Sequence, residues 1–125
     1  MPSIPGALRR TVARLATSAE QHEAEELRRE CVDSGATLVR DLPDREVVQV
    51  AGTLRSVTLR PRGGVPALVA ELYDGSGSVS LIWLGRRQIA GLEPGRALTA
   101  YGRATRDPSG PVIYNPRYDL RPAGA

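Results

Sequence analysis

The side chains in this sequence best equipped to grip another molecule are arginines set in and beside loops. Arg60 and Arg62 stand in "RPRGGVP" (60–66), Arg86 and Arg87 adjoin one another after an apolar run, and Arg103 and Arg106 lie at the start of "RDPSGP" (106–111) or just before it. Arg55 interrupts the strand-like stretch that leads to the first of these loops. A guanidinium offers five donors in a planar fork that matches two phosphate oxygens at once, and its flat face stacks on rings and bases. Tyr73, immediately before the turn "DGSG" (74–77), supplies an aromatic face of the same kind. Arginine for phosphates and an aromatic ring for bases is the chemistry of polyanion binding, and such stacking contributes roughly 1–3 kcal/mol per base. Gly63 and Gly64 beside Arg62 would let the backbone approach a phosphate chain closely. The plainer alternative is that loop arginines are solvated surface charge.

Covalent and acid–base chemistry finds little support. His22 is the one histidine and sits in a charged helical stretch; Cys31 is the one cysteine, so no internal disulfide forms and no base adjoins it. No Cys/His spacing suits a metal. Asp74 is explained by backbone bonding within its turn, and Asp41 and Asp44 by turn chemistry around Pro43. The expectation is a protein that is not an enzyme and needs no cofactor or metal.

Composition bounds the setting. A chain of 125 residues allows one modest core, which without phenylalanine is built from Val, Leu, Ile and Ala. All seventeen basic residues are arginine, a bias that GC-rich codon usage alone would produce. Residues 1–45 carry seven arginines and eight acids, net −1; residues 46–125 carry ten and six, net +4. The basic excess therefore accompanies the loops named above. Arg9, Arg10 and Arg14 break any apolar leader, and no apolar run reaches membrane-spanning length, so a cytoplasmic location without membrane contact is expected.

The elements that must position these residues follow from periodicity. A helix is expected from about Ala7 to Val32, with Leu8, Val12, Leu15 and Ala19 at helical spacing, Leu27 and Cys31 resuming the stripe, and Gly35 as the stop. Residues 36–45 form a connector. A long first strand, Glu46–Pro61, alternates through Val48, Val50, Gly52 and Leu54 and then changes phase at Val57 and Leu59, which implies a bulge or a sharp coil, with Gly52 where the strand bends. Ala67–Asp74 places Leu68, Ala70 and Leu72 inward and Val69, Glu71 and Tyr73 outward. Ser78–Leu84 places Val79, Leu81 and Trp83 on one face and Ser78, Ser80 and Ile82 on the other. Trp83 by this phase belongs to the core, with ligand stacking as the other reading. Gly85–Arg96 reads as a short helix or helical turn anchored by Ile89 and Leu92, Ala97–Asp107 as a fourth strand and Val112–Leu120 as a fifth, where Asn115 and Tyr118 pin the chain end.

This order is mainly β: a five-stranded Greek-key OB-fold barrel behind an N-terminal α-helix, with an SH3-like barrel as the weaker rival. The domains read as helix and connector (1–45), barrel (46–121) and tail (122–125). Several motifs point the same way: Val50-Ala51-Gly52-Thr53-Leu54, the Asp74–Gly77 turn, the closing Trp83, the run Leu92, Pro94, Gly95, Leu98 and Gly102, and Asn115-Pro116 with Tyr118. In these the chain resembles OB-fold nucleic-acid-binding domains, most nearly the wedge-type OB domain of RecG-like helicases, over about 75 of 125 residues. It departs from those helicases in having no lysine and hence no Walker loop, so the likeness is to a stand-alone barrel of a kind found in actinobacteria, without an ATPase motor. The resemblance implies binding of single-stranded or branched DNA or RNA without sequence readout. The ligand would cross strands two and three between the L12 loop (60–66) and the L45 loop (106–111), touching Arg55, Arg60, Arg62, Tyr73, Arg86, Arg87, Arg103 and Arg106. The alternative is a protein-interaction module that uses an outward Val69/Ile82 patch, with self-association or a partner at the N-terminal helix.

Overall fold

The computed structural model describes residues 6–122, with side chains from residue 16 onward; the expected Leu8, Val12 and Leu15 stripe lies outside the described side chains. Helix α1 spans Gly6–Asp33. It stops where the sequence places Gly35, whose φ of 80° only glycine adopts at little cost. There the Gly35 N–H donates to Val32 C=O (3.1 Å) and the Ala36 N–H to Cys31 C=O (3.2 Å), the paired bonds of a Schellman cap. From Ala16 to Glu23 the helix is exposed; its last turns meet the barrel through the half-buried Leu27 and the buried Cys31.

The connector is more than a link. A 3₁₀ turn, Val39–Asp41, presses Leu38, Val39 and Leu42 inward until each is 9% exposed or less, and Val39 and Leu42 join the main core. They close one end of the barrel. Ile89 and Leu92, both buried, pack into the same core from the segment after the third strand, as their sequence positions imply. That segment, however, forms turns rather than a helix. Its backbone bond Leu92 N–H to Ile89 C=O spans only three residues, and Gly91 and Gly95 both take positive φ, which breaks any helical run.

The strands are β1 (Glu46–Leu59), β2 (Ala67–Tyr73), β3 (Ser78–Leu84), β4 (Ala97–Asp107), β5 (Gly110–Tyr114) and β6 (Arg117–Leu120). The first five close a ring, β1–β2–β3–β5–β4–β1, in which only the β3–β5 pair is parallel. This is the Greek-key connectivity of an OB barrel. β1 serves two neighbours: Glu46 to Thr53 pair with β4, and Thr53 to Leu59 pair with β2. The strand must coil to do so. A Cβ at Gly52 would stand 2.3 Å from the Tyr73 carbonyl oxygen, so the bend needs glycine. The expected bulge is present: Leu54 faces Leu72 and Ser56 faces Glu71, leaving Arg55 as the extra residue.

Two expectations are corrected. The final strand is not continuous over Val112–Leu120. Asn115, at φ 50°, and Pro116, which has no N–H to give a ladder, divide it into β5, paired with β3 and β4, and β6, paired with β4 alone. Ile82 is outward in phase but completely buried, in a small second cluster with Ala67, Val112 and the half-buried Val69.

Candidate nucleic-acid interface

The outer face of the barrel is laid out by register. Thr58, Val69, Ile82 and Tyr114 form one row across β1, β2, β3 and β5; Ser56, Glu71, Ser80 and Val112 form the next; Tyr73 and Ser78 follow. Arg55, thrown outward by the bulge, lies over the Tyr73 ring with its guanidinium carbon 3.4 Å from the ring centroid. The bulge thus converts an irregularity of pairing into an ordered cation–aromatic surface.

L12 folds on itself through reciprocal backbone bonds between Arg62 and Val65 (2.8 and 3.0 Å), with Gly63 and Gly64 both at positive φ in the tip. From this arm Arg62 donates to the Tyr114 hydroxyl at 3.3 Å. L12 joins β1 to β2, and β3 lies between β2 and β5, so this reach passes over the end of β3. Ile82 itself is fully buried against Ala67, Val112 and Val69, so of the Val69/Ile82 patch on which the protein-interaction reading rested only the half-buried Val69 is accessible. Arg60, exposed in L12, donates its backbone N–H to the Ala67 carbonyl (2.8 Å), while its guanidinium has no hydrogen bond or ion pair among the described residues.

The L45 connection is tighter than the sequence implies. β4 runs to Asp107 and β5 begins at Gly110, so only Pro108 and Ser109 form the tip. The Ser109 hydroxyl and N–H both donate to the Asp107 carboxylate and hold it below its usual range, and the nearby Arg62 acts in the same direction. L12 and L45 therefore meet at Arg62, Tyr114 and Asp107.

The other named arginines diverge from this face. Arg103 donates to the Arg45 carbonyl, and Arg106 to the Leu42 carbonyl at 3.4 Å, so both tie β4 to the connector. Arg87 borders a recess at the barrel end beside Val57, Leu68 and Leu92. Arg86 borders a separate groove between β3 and β6 that also holds Arg117, Tyr101 and Tyr118. Arg117 and Tyr101 were not among the expected binding residues, and Tyr118 was expected only to pin the chain end, although their types carried the same signal as Arg86 and Tyr73. Trp83 is 5% exposed and donates its indole N–H to the Pro116 carbonyl at 3.1 Å, which makes it a core residue.

The groups with catalytic potential are engaged in structure. Asp74 is fully buried. Its Oδ1 accepts from the Ser76 N–H (2.9 Å), the Ser76 hydroxyl (2.7 Å) and the Gly77 N–H (3.2 Å), and its Oδ2 from the Val39 N–H (2.7 Å). Burial, and then the Asp74 carboxylate, push the Cys31 thiol up. His22 pairs with Glu26 at 3.0 Å on an exposed helix face. Among the described residues no cluster of three potential metal ligands occurs, and no helix is long and apolar enough to cross a membrane.

No family model matches the chain, and no curated protein matches it. Solved structures do. RecG bound to a three-way DNA junction shares 22% identity at a TM-score of 0.57, covering 71% of this chain. The chain spans only 13% of the RecG chain, a single segment of it. The OBody AM1L10 bound to hen egg-white lysozyme shares 16% identity at a TM-score of 0.57, covering 70% of this chain and 92% of that one. At these identities the likeness is one of fold.

Proposed function

We propose that this chain is a non-catalytic barrel that binds single-stranded or branched DNA or RNA through phosphate and stacking contacts, without reading sequence. The observation that carries this reading is the outer strip on which Arg55, Arg60 and Arg62 stand with Tyr73 and Tyr114, three positive charges against the carboxylates Glu71 and Asp107. Arginine and tyrosine on one surface suit a backbone of phosphates with splayed bases. The fold does not choose the ligand: of the similar structures named above, RecG is bound to a DNA junction and the OBody to lysozyme. The arginines of the strip favour a polyanion, and the burial of Ile82 weakens the case for a protein partner on this face.

Fluorescence anisotropy with labelled single-stranded DNA, single-stranded RNA and a forked duplex at low salt tests the proposal. Saturable binding of at least one of them, weakened in the Arg60→Ala/Arg62→Ala variant, is expected. No saturable binding of any at tens of micromolar protein refutes it.

A further inference from the structure

The break at Asn115-Pro116 has a spatial consequence. β3 pairs with β5 only as far as Ile82 opposite Tyr114; past that point the chain turns, and β6 follows β4 instead. The Leu84 N–H to Asn115 Oδ1 bond (2.9 Å) and the indole bond of Trp83 to Pro116 fasten the turn. Between the end of β3 and β6 this leaves an open groove of about 580 Å³. Trp83, Tyr101 and Tyr118 line it, three of the five aromatic side chains in the sequence. Trp83 meets Tyr118 edge-on, with ring centroids 5.7 Å apart and planes at 83°.

The charged groups of the groove are Arg86, Arg117 and Asp119, one positive charge in excess. The Tyr101 hydroxyl donates to Asp119 at 3.1 Å, and the Arg117 guanidinium stands 5.6 Å from the Tyr101 ring centroid. Arg86 has no partner among the described residues. The half-buried Tyr118 ring beside Trp83, with a free guanidinium at one end of the groove, suits a flat ring that carries an anion. A cationic ligand would meet two arginines, and a purely apolar one would leave them unused. The volume falls within the range of small-ligand pockets, roughly 300–1,000 Å³.

We infer that this groove is a second binding site, for one unpaired nucleotide, whose base lies against Tyr118 above Trp83 and whose phosphate meets Arg86 and Arg117. It rests on the nucleic-acid reading and adds a site off the β1–β2–β3 face.

The single tryptophan makes the test specific. The full chain is titrated with an oligothymidylate of about 15 nucleotides. Anisotropy of a labelled strand and Trp83 emission with an unlabelled one are followed separately. Saturable quenching with the same midpoint as the anisotropy is expected, with little quenching by an abasic strand of equal length. Arg86→Ala/Arg117→Ala should weaken binding at least about fivefold and abolish the quench, a loss matching one stacked base with its contacts. Arg60→Ala/Arg62→Ala should weaken binding while the quench at saturation persists. Binding that leaves Trp83 emission unchanged, equal quenching by the abasic strand, or native affinity in Arg86→Ala/Arg117→Ala overturns the groove assignment while the broader proposal stands. Absence of any anisotropy change removes both.

Discussion

Buried carboxylates persist only where hydrogen bonds replace their water, and both oxygens of Asp74 are so engaged. One oxygen shapes the β2–β3 turn and the other holds the Val39 N–H, so a single residue fastens the connector to the barrel. Asp74→Ala leaves that buried N–H unsatisfied and is expected to cost about 3 kcal/mol of stability in urea unfolding; a loss under about 1 kcal/mol would show the knot to be dispensable. Cys31 belongs to the same cluster. Its raised thiol pKa means the folded state holds that proton more tightly than the unfolded chain does. The resulting contribution is complete below the unfolded thiol's pKa and is lost as pH rises through the folded one. Thiol labelling at neutral pH should therefore be slow in the native protein and accelerate with urea in step with unfolding; rapid labelling without denaturant would contradict this burial. Arg55 differs in being exposed. Arg55→Ala forfeits a cation–π contact worth about 1 kcal/mol or less, so the melting temperature should barely move while oligonucleotide affinity falls several-fold.

At the level of elements, much of the barrel was legible. The phase change between Leu54 and Val57 announced the bulge, Gly52 the bend, and Gly35 the helix stop, because each is a local conflict between side-chain period and backbone geometry. The Asn115-Pro116 break carried a local signal too, since proline cannot sustain a ladder. What the sequence hid were tertiary consequences. Alternation cannot show that Ile82 is buried against Ala67 and Val112, or that the connector enters the core, or that the exposed Arg103 and Arg106 bond to its carbonyls. Two expectations follow. Gly52→Ala drives a methyl into the Tyr73 backbone and should destabilise by about 3 kcal/mol, the upper end for overpacking. A chain beginning at Ala36 keeps Leu38, Val39 and Leu42 and should unfold cooperatively. One beginning at Arg45 loses all three, about 5 kcal/mol of burial at roughly 1.5–3 kcal/mol each, and should melt far lower or fail to fold. Equal melting curves for the two would contradict the connector's place in the core.

Across the whole molecule, the charge asymmetry of the sequence becomes a spatial one. The helix and connector are close to neutral at net −1, and the net +4 of residues 46–125 includes Arg55, Arg60 and Arg62 on the barrel strip. Because a surface of exposed arginines binds a strand by releasing counterions, the dependence of affinity on salt reports directly on the central claim. The decisive measurement is the affinity for a labelled single strand across a series of salt concentrations, for the native chain and for Arg60→Ala/Arg62→Ala. Three phosphate contacts predict a slope of log affinity against log salt near −2 for the native chain, shallower by about 1.4 in the variant. Binding indifferent to salt, or a slope unchanged by loss of both L12 arginines, would contradict the account.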